Sequence, residues 1–451
     1  MRIGLGLALG RGPAVGMRRV AGNIALEGLV SIQRNGRPTA RLAESWSVSD
    51  DGRLLRIRLP ASLKFHSGRP ATAEVVRKIL QEKAPAAMGP AFDDILEIRA
   101  TSDRDLEFAL RQRSTFVLER LDDIAIEDPD SPLSGTGPFY VSDQGGEIEM
   151  RANTGYHGGP PLIDQINIKA YRSLRSAWAD MLRGQVDMLY DVSADALDSL
   201  ASSSQVKILP FPRGYAYLLL FNMRKPELKD ARVRRQLNAA VDREALVSDA
   251  FRGHSTPAAA ALSPQHWAYS PDLPHFRYSP QPLEGTAPRR LKCLLAEPSL
   301  ERLALMVQRQ LQAIGVDLEL ELAPADQVVA RLESGDFDTV LSDFYLGPTL
   351  ARAYLFWHSR GPSNYGHYNN TQVDASLDAI RHAADDSAYR AGVAVFEQAI
   401  VDDPPGLFLT WGERARAVSN RFDVPSAADT ALFGALHLWR PAGPESMARR
   451  N

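Results

Sequence analysis

The sequence predicts an α/β fold built as two lobes, and three observations carry that prediction. Residues 217–221, Tyr-Leu-Leu-Leu-Phe, form an unbroken apolar run of strand length, joined to a helical pattern by a polar turn containing Pro226. Strand–helix–strand units recur on both sides of that joint. The segments Met181-Leu-Arg-Gly-Gln-Val-Asp-Met188 and Arg331-Leu-Glu-Ser-Gly-Asp-Phe-Asp338 echo one unit in two parts of the chain. Repeated αβ units in a chain that leaves one lobe and later re-enters it call for two sheets. At 451 residues there is room for two or three domains, each with its own core.

Taken in order, the apolar run 3–9 reads as a first strand, followed by a Gly/Pro-rich loop at 10–16 and an apolar helix ending near Glu27-Gly28. Residues 55–59 alternate apolar and polar at period two, as a half-buried strand does. Thr72 suits the N-cap of a helix over 71–79, and 106–110 and 115–121 read as a short strand and a short helix. Gly135-Thr-Gly-Pro138 allows a close backbone approach before a strand from Phe139, and a strand there argues against a phosphate loop. Residues 166–171 alternate again, and 173–182 form an amphipathic helix with Leu174, Trp178 and Leu182 on one face.

After the strand at 217–221, Asp230 is placed to cap one long helix reaching Gly253, with Val233, Leu237, Val241 and Val247 buried and Arg232, Arg234, Arg235 and Arg243 mostly outside. Strand, helix and strand follow at 291–296, 300–314 and 316–322, then a helix at 326–332 and a strand at 339–341. Helices over 373–384 and 387–400, a buried strand at 406–410 and a closing strand near 434–438 complete the chain.

Composition excludes several functions. Apolar residues make up 44% and charged residues 24%, and a net charge of −3 gives no electrostatic case for nucleic acid or an anionic membrane. Cys293 is the only cysteine, so neither an internal disulfide nor a cysteine-based metal site can form. There is no GxSxG, HExxH or Walker-type loop, and no catalytic residues and no cofactor are expected. His358, His367 and His382 have no spacing that fits a protein metal cage, so no metal ligands are assigned.

Four stretches give the chain a family resemblance: residues 42–76 (LAESWSVSDDGRLLRIRLPASLKFHSGRPATAEVV), 135–141 (GTGPFYV), 155–190 and 221–247 (FNMRKPELKDARVRRQLNAAVDREALV). Together, and in this order, they resemble the extracytoplasmic solute-binding proteins of family 5, which serve ABC importers of the peptide/nickel class. The resemblance implies a type II periplasmic-binding-protein fold: two lobes, an additional small domain and a hinge of two crossing strands at 217–222 and 422–430. Domain I would comprise 1–29, 134–221 and 431–451, domain II the inserted segment 30–133, and domain III 222–430.

It further implies capture of a peptide-like or other amphipathic solute by closure of the lobes, delivery to permease subunits, contact with the membrane only through the permease, and a monomer outside the cytoplasm. If 3–9 is the first strand, an export signal of the family's kind would lie outside this sequence. An intracellular ligand sensor of the same fold and a nickel-chelate binder stay open as alternatives.

Matching positions put Gly16 and Met17, Asp343, Phe344, Tyr345, Gly347, Trp357 and Tyr365 at the ligand cleft. Peptide-binding relatives hold the ligand ammonium with an aspartate after a Gly-Trp pair. Here the stretch reads Leu341-Ser-Asp-Phe-Tyr-Leu-Gly-Pro348. Either Asp343 takes that role from a shifted position, or the ligand has no free α-amino group, or Asp343 is a structural strand-end residue paired with a nearby arginine such as Arg352.

Overall fold

The strand at the central joint runs Tyr215–Phe221, and its register pairs it on both sides, with Thr339–Tyr345 and with Gly406–Gly412. An interior strand has neighbours on both edges and packing on both faces, which is why its sequence is continuously apolar. These relations come from a computed structural model that describes residues 1–6, 13–143, 145–192, 194–210, 214–283, 290–413, 415–425, 433 and 435–443.

The chain forms two units, one of residues 1–212 with 414–451 and one of residues 213–413. The division therefore falls at 212/213 and 413/414, where the sequence suggested 221/222 and 430/431. Tyr215–Phe221 pairs along its length within the second unit's sheet, which places it with that unit. Of the other expected crossing strand, Phe422–Asp423 pairs with Arg440–Pro441, and 426–430 lie outside the described residues.

The first unit is built on a seven-stranded sheet in the order Val206–Pro210, Ala415–Ser419, Met188–Val192, Arg2–Leu5, Gln165–Ala170, Ile148–Ala152, Phe139–Asp143. Arg2–Leu5 is parallel to both its neighbours. Strand alternation feeds two cores: Met188 and Tyr190 join Ile3, Leu5 and the helix Pro13–Ala25 on one side, while Leu189 joins Ala177, Met181 and Leu200 in the other cluster. The helix Leu174–Leu182 is closed by a Ser173/Ser176 capping box. It buries Ala177 and Met181 with Leu174 and Trp178 alongside, whereas Leu182 is exposed. Its apolar stripe is thus i, i+3, i+4, i+7, one step short of the expected face.

Residues 30–133 of this unit hold a separate antiparallel sheet, ordered Ser45–Val48, Leu54–Arg58, Asp105–Leu110, Ile95–Ala100. Thr72 caps the helix beside it, which continues past Pro85 to Met88. Gly135 and Gly137 are needed for approach and not for positive φ: a Cβ on either would collide with the carbonyls of Ala25 and Ile24.

The second unit has a six-stranded sheet, ordered Ser255–Pro257, Gly406–Gly412, Tyr215–Phe221, Thr339–Tyr345, Arg290–Leu295, Asp317–Leu322. Its edge strand Asp317–Leu322 carries Glu319 and Glu321, charges that discourage further pairing. Gly335 ends the helix Ala325–Ser334 in the left-handed conformation.

Asp230 caps the helix Ala231–Ala239, but the helix then breaks, contrary to the single long helix read from the spacing. Asp242 starts a second segment by accepting from the Ala245 amide at 3.0 Å, and residues Leu246–Ala250 follow with π-helical bonding. Arg232 and Arg235 are exposed, whereas Arg234 and Arg243 are buried, which corrects their expected outward placement. The closing segment also differs: Leu436–Leu438 is a 3-10 turn and the strand comes at Arg440–Pro441.

Buried arginines need acceptors, and Arg243 finds them on backbone. Its Nε donates to the carbonyls of Phe408 at 2.7 Å and Ala258 at 3.1 Å, and its Nη2 donates to Asn238 Oδ1 at 3.0 Å. Burial pulls its pKa down to about 9. The same irregular segment is held further along by Glu397, whose two oxygens accept from the amides of Ala261 at 3.0 Å and Leu262 at 2.6 Å. Burial pushes the Glu397 carboxyl up to about 7 against those two bonds.

Candidate functional site

Open α/β sheets meet their ligands at the carboxyl ends of parallel strands. In the second unit the central strand of that kind is Thr339–Tyr345, parallel to Arg290–Leu295. Its carboxyl end lies in register with the first residue of Tyr215–Phe221, and Tyr215 in turn faces Gly412 across the next ladder. The Tyr215 and Tyr345 rings are 5.3 Å apart, both half-buried. Just beyond, the Gly347 amide donates to the Gly214 carbonyl at 3.1 Å. Gly347 has φ 71°, and a Cβ there would stand 2.6 Å from Arg352 Cδ. The Arg352 guanidinium, in the first turn of the helix Leu350–Trp357, lies 4.2 Å over the Tyr345 ring. This sheet end therefore combines aromatic walls, a cation and close backbone turns, the mixture that suits an amphipathic ligand.

The residues proposed from sequence divide in two. Asp343 is half-buried, faces Tyr217 in the ladder and shares a strand face with Tyr345, while Tyr345 and Gly347 form the sheet end itself. Tyr365 is half-buried in the turn between the helices Leu350–Trp357 and Thr371–Arg381. Phe344 points to the opposite strand face, 8% exposed and edge-on to Phe356. Trp357 is 1% exposed and packs against Phe408, so it belongs to the core. Tyr354 and Tyr368 are core as well; Tyr354 donates to Asp378 Oδ1 at 3.1 Å and Tyr368 to the Asp403 carbonyl at 2.6 Å.

In the first unit, Gly16 is buried in the first turns of Pro13–Ala25, and Met17 packs into the core with Val20 and Ile24. The helix begins at Pro13, inside the expected loop at 10–16, so both residues are helical; residues 7–12, the end of the expected first strand and the start of that loop, lie outside the described residues. At this unit's sheet, Asn23 Nδ2 donates to Tyr190 Oη at 3.2 Å, and the buried Arg416 lies over the Tyr190 and Phe433 rings.

One buried cluster resembles a catalytic constellation. Glu27 accepts from Thr136 Oγ1 and Tyr156 Oη, both at 2.9 Å, with His157 Nε2 at 3.0 Å. Burial works to raise its pKa, but the His157 bond, the Arg41 charge and the Tyr156 bond outweigh it and hold the carboxyl at about 2. A carboxylate enclosed by three donors serves as a tie between the Gly135–Pro138 turn, the 153–157 loop and the end of the first helix.

The histidines read the same way. His358 is buried, stacks on Tyr354 at 4.2 Å and accepts from the Arg360 amide, and burial lowers its pKa. His367 accepts from Arg224, and burial followed by the Arg224 charge lowers its pKa too. Among the described residues no cluster of three or more His, Cys, Asp or Glu could hold a metal ion. Cys293 is buried and its thiol is pushed up to about 12 by burial, the state of an inert core residue.

Two units with mixed α/β sheets, one carrying an inserted antiparallel sheet, are the architecture of the type II periplasmic-binding-protein fold. Solved structures agree with that fold: the oligopeptide-binding protein AppA of Bacillus subtilis in complex with a nonapeptide matches with a TM-score of 0.81 at 20% identity over 98% of this chain and 99% of that one. NikA from Brucella suis, in complex with Fe(III)-EDTA, matches with a TM-score of 0.82 at 17% identity over 98% and 100%. The chain belongs to the bacterial extracellular solute-binding proteins, family 5, whose middle-region model matches residues 37–366. Similar relatives include the probable D,D-dipeptide-binding periplasmic protein DdpA of Escherichia coli (strain K12), 24% identical over 82% of this chain and 78% of that protein. Oligopeptide-binding protein AppA of Bacillus subtilis (strain 168) is 24% identical over 85% and 80%.

Tyr215, Gly214 and Arg352 escaped the sequence reading as site residues. Gly214-Tyr215-Ala216 immediately precedes the apolar run and could have been joined to it. Arg352 carried no local signal beyond a cation in the first turn of a helix, the end where a positive charge is disfavoured.

Proposed function

We propose that this chain is the solute-binding component of an ABC importer outside the cytoplasmic membrane. It captures a peptide-like or other amphipathic solute as a monomer and passes it, chemically unaltered, to the permease subunits. The family match over residues 37–366 carries this reading. The relatives named for D,D-dipeptide and oligopeptide binding support the ligand class. The aromatic sheet end at Tyr215 and Tyr345 supports an amphipathic solute. No helix among the described residues is long and apolar enough to cross a membrane.

Asp343, Tyr345, Gly347 and Tyr365 are the proposed solute-facing residues, with Asp343 receiving an ammonium group. Thermal shift against matched peptides with free and acetylated N-termini tests this. Stabilisation lost on acetylation, and lost again in Asp343→Asn, supports the ammonium site; equal response to both sets refutes it. Nickel–histidine and iron–EDTA complexes in the same panel separate a chelate solute from a peptide, since a chelate brings most of its own ligands.

A further inference from the structure

His66 spends both ring nitrogens on one turn of backbone, and the two bonds demand opposite roles. The Gly135 amide donates to Nδ1 at 3.2 Å, while Nε2 stands 2.9 Å from the Gly137 carbonyl. An amide can only donate and a carbonyl can only accept, so the ring is held as the neutral tautomer with its proton on Nε2. A second proton would set an N–H of Nδ1 against the N–H of Gly135. We propose that His66 is a proton-operated latch: neutral, it staples the 65–69 turn of the inserted segment 30–133 to the Gly135–Pro138 turn, and on taking up a proton it releases the Gly135 amide and the staple opens. This goes beyond the solute-binding reading and does not depend on it.

The ring sits where the inserted segment returns to the first unit's sheet. The Phe65 amide closes its own turn on the Arg69 carbonyl, the His66 amide donates to the Gly135 carbonyl at 2.8 Å, and the Ser67 amide donates to Ser134 Oγ at 3.0 Å. On its far side the Gly135–Pro138 turn presses on the end of the helix Pro13–Ala25 so closely that neither glycine has room for a Cβ. The charged ring has a bonding pattern of its own, because the carbonyls of Gly137 and Leu133 both favour it. Leu133 holds φ 60°, a conformation that a branched side chain rarely adopts, so the backbone beside the latch carries strain that opening can relieve.

The groups that face the ring are Glu27, whose charge favours protonation, and Tyr140, whose ring lies 6.0 Å away. Arg41 and His157 are paired with Glu27, and Arg69 and Asp128, close by in the chain and across the turn, pair with each other at 3.0 Å. Burial outweighs the Gly137, Glu27 and Leu133 contributions and lowers the His66 pKa from its ordinary 6.5. The closed ring therefore excludes a proton that the opened ring takes up, so the latch is firm above 6.5 and weakens as pH falls through the window below it.

Two measurements on the full chain test this. In protein with 15N-labelled histidine rings, the His66 ring, assigned through its own backbone resonance, should show the Nε2–H tautomer at neutral pH and titrate with a midpoint below 6.5. Hydrogen exchange of peptides covering 131–140, corrected for intrinsic rates, should show protection falling from pH ~7 to ~5 by no more than about tenfold per unit, the limit for one titrating group. Peptides covering 215–221 should keep their protection. His66→Gln offers one acceptor and one donor at every pH and should remove the fall, whereas His157→Gln, which leaves both His66 bonds in place, should retain it. An Nδ1–H tautomer, a midpoint at or above 6.5, or the same fall in a folded His66→Gln overturns the latch. If His66→Gln does not fold, the ring titration in wild type still decides.

Discussion

Replacing Glu27 by glutamine removes the charge at the centre of the first unit's buried tie and keeps the side chain's shape. The structure supplies the size of the effect. The carboxyl falls from 4.5 to about 2 in the folded chain, and at about 1.4 kcal/mol for each pH unit this corresponds to about 3 kcal/mol of stability at neutral pH. A depressed carboxylate pKa contributes stability above its unfolded value, and that contribution is lost as pH falls through the folded value. In the window from 4.5 down to about 2 the unfolded chain therefore binds the proton that the folded chain excludes.

Urea unfolding at a series of pH values, read by hydrogen exchange of peptides from residues 13–30 and 134–160, isolates the first unit in a chain with more than one transition. Glu27→Gln should be destabilised by about 3 kcal/mol at pH 7, with the difference from wild type shrinking below pH ~4.5. A difference that is the same at pH 7 and pH ~2.5, or absent at both, would refute the ion-stabilised tie.

The second unit should respond in the opposite sense. Glu397 is raised to about 7, so between 4.5 and 7 the folded chain holds a proton that the unfolded chain releases, and stability falls as pH rises through that window. Glu397→Gln should flatten this slope in thermal melts from pH 4.5 to 7; an unaltered slope would contradict the assignment. Arg243→Met strands the carbonyls of Ala258 and Phe408 in the interior and should cost about 3–5 kcal/mol in urea unfolding of the second unit; a loss below about 1 kcal/mol would show that those bonds are replaced by others. Gly347→Ala forces a side chain into a left-handed position and into Arg352, and should cost about 1–2 kcal/mol and weaken solute binding together, whereas unchanged melting and unchanged affinity would deny the close seat.

Much of this architecture was legible because local chemistry and tertiary demand coincide. The caps at Thr72 and Asp230 and the alternation before Leu59 are decided within a few residues, and all form. The burial of Cys293 followed from its place in an apolar strand. What escaped depends on partners far along the chain. Arg243 sits three residues after Ala240 and three before Leu246, on the buried stripe, and an arginine is tolerable there because acceptors converge on it, among them the carbonyl of Phe408, 165 residues away in sequence. Asp242 falls inside the one long helix that the spacing suggested, and its capping bond to Ala245 shows that it starts a new one.

The candidate site was legible in the same partial way. The family pattern led to the strand end at Asp343, Tyr345 and Gly347, yet it could not separate Trp357 and Met17, which the core claims, from residues at the sheet end. Periodicity assigns a face to a residue; it does not say whether a neighbouring element covers that face.

The central claim, capture of a solute without chemistry, is tested most directly by titrating the purified chain with a peptide library in a calorimeter and recovering the bound material by mass spectrometry. The account predicts saturable binding at one site per chain, with the peptides recovered at their original masses. Absence of binding at millimolar peptide, or recovery of cleaved products that an untreated library lacks, would contradict it.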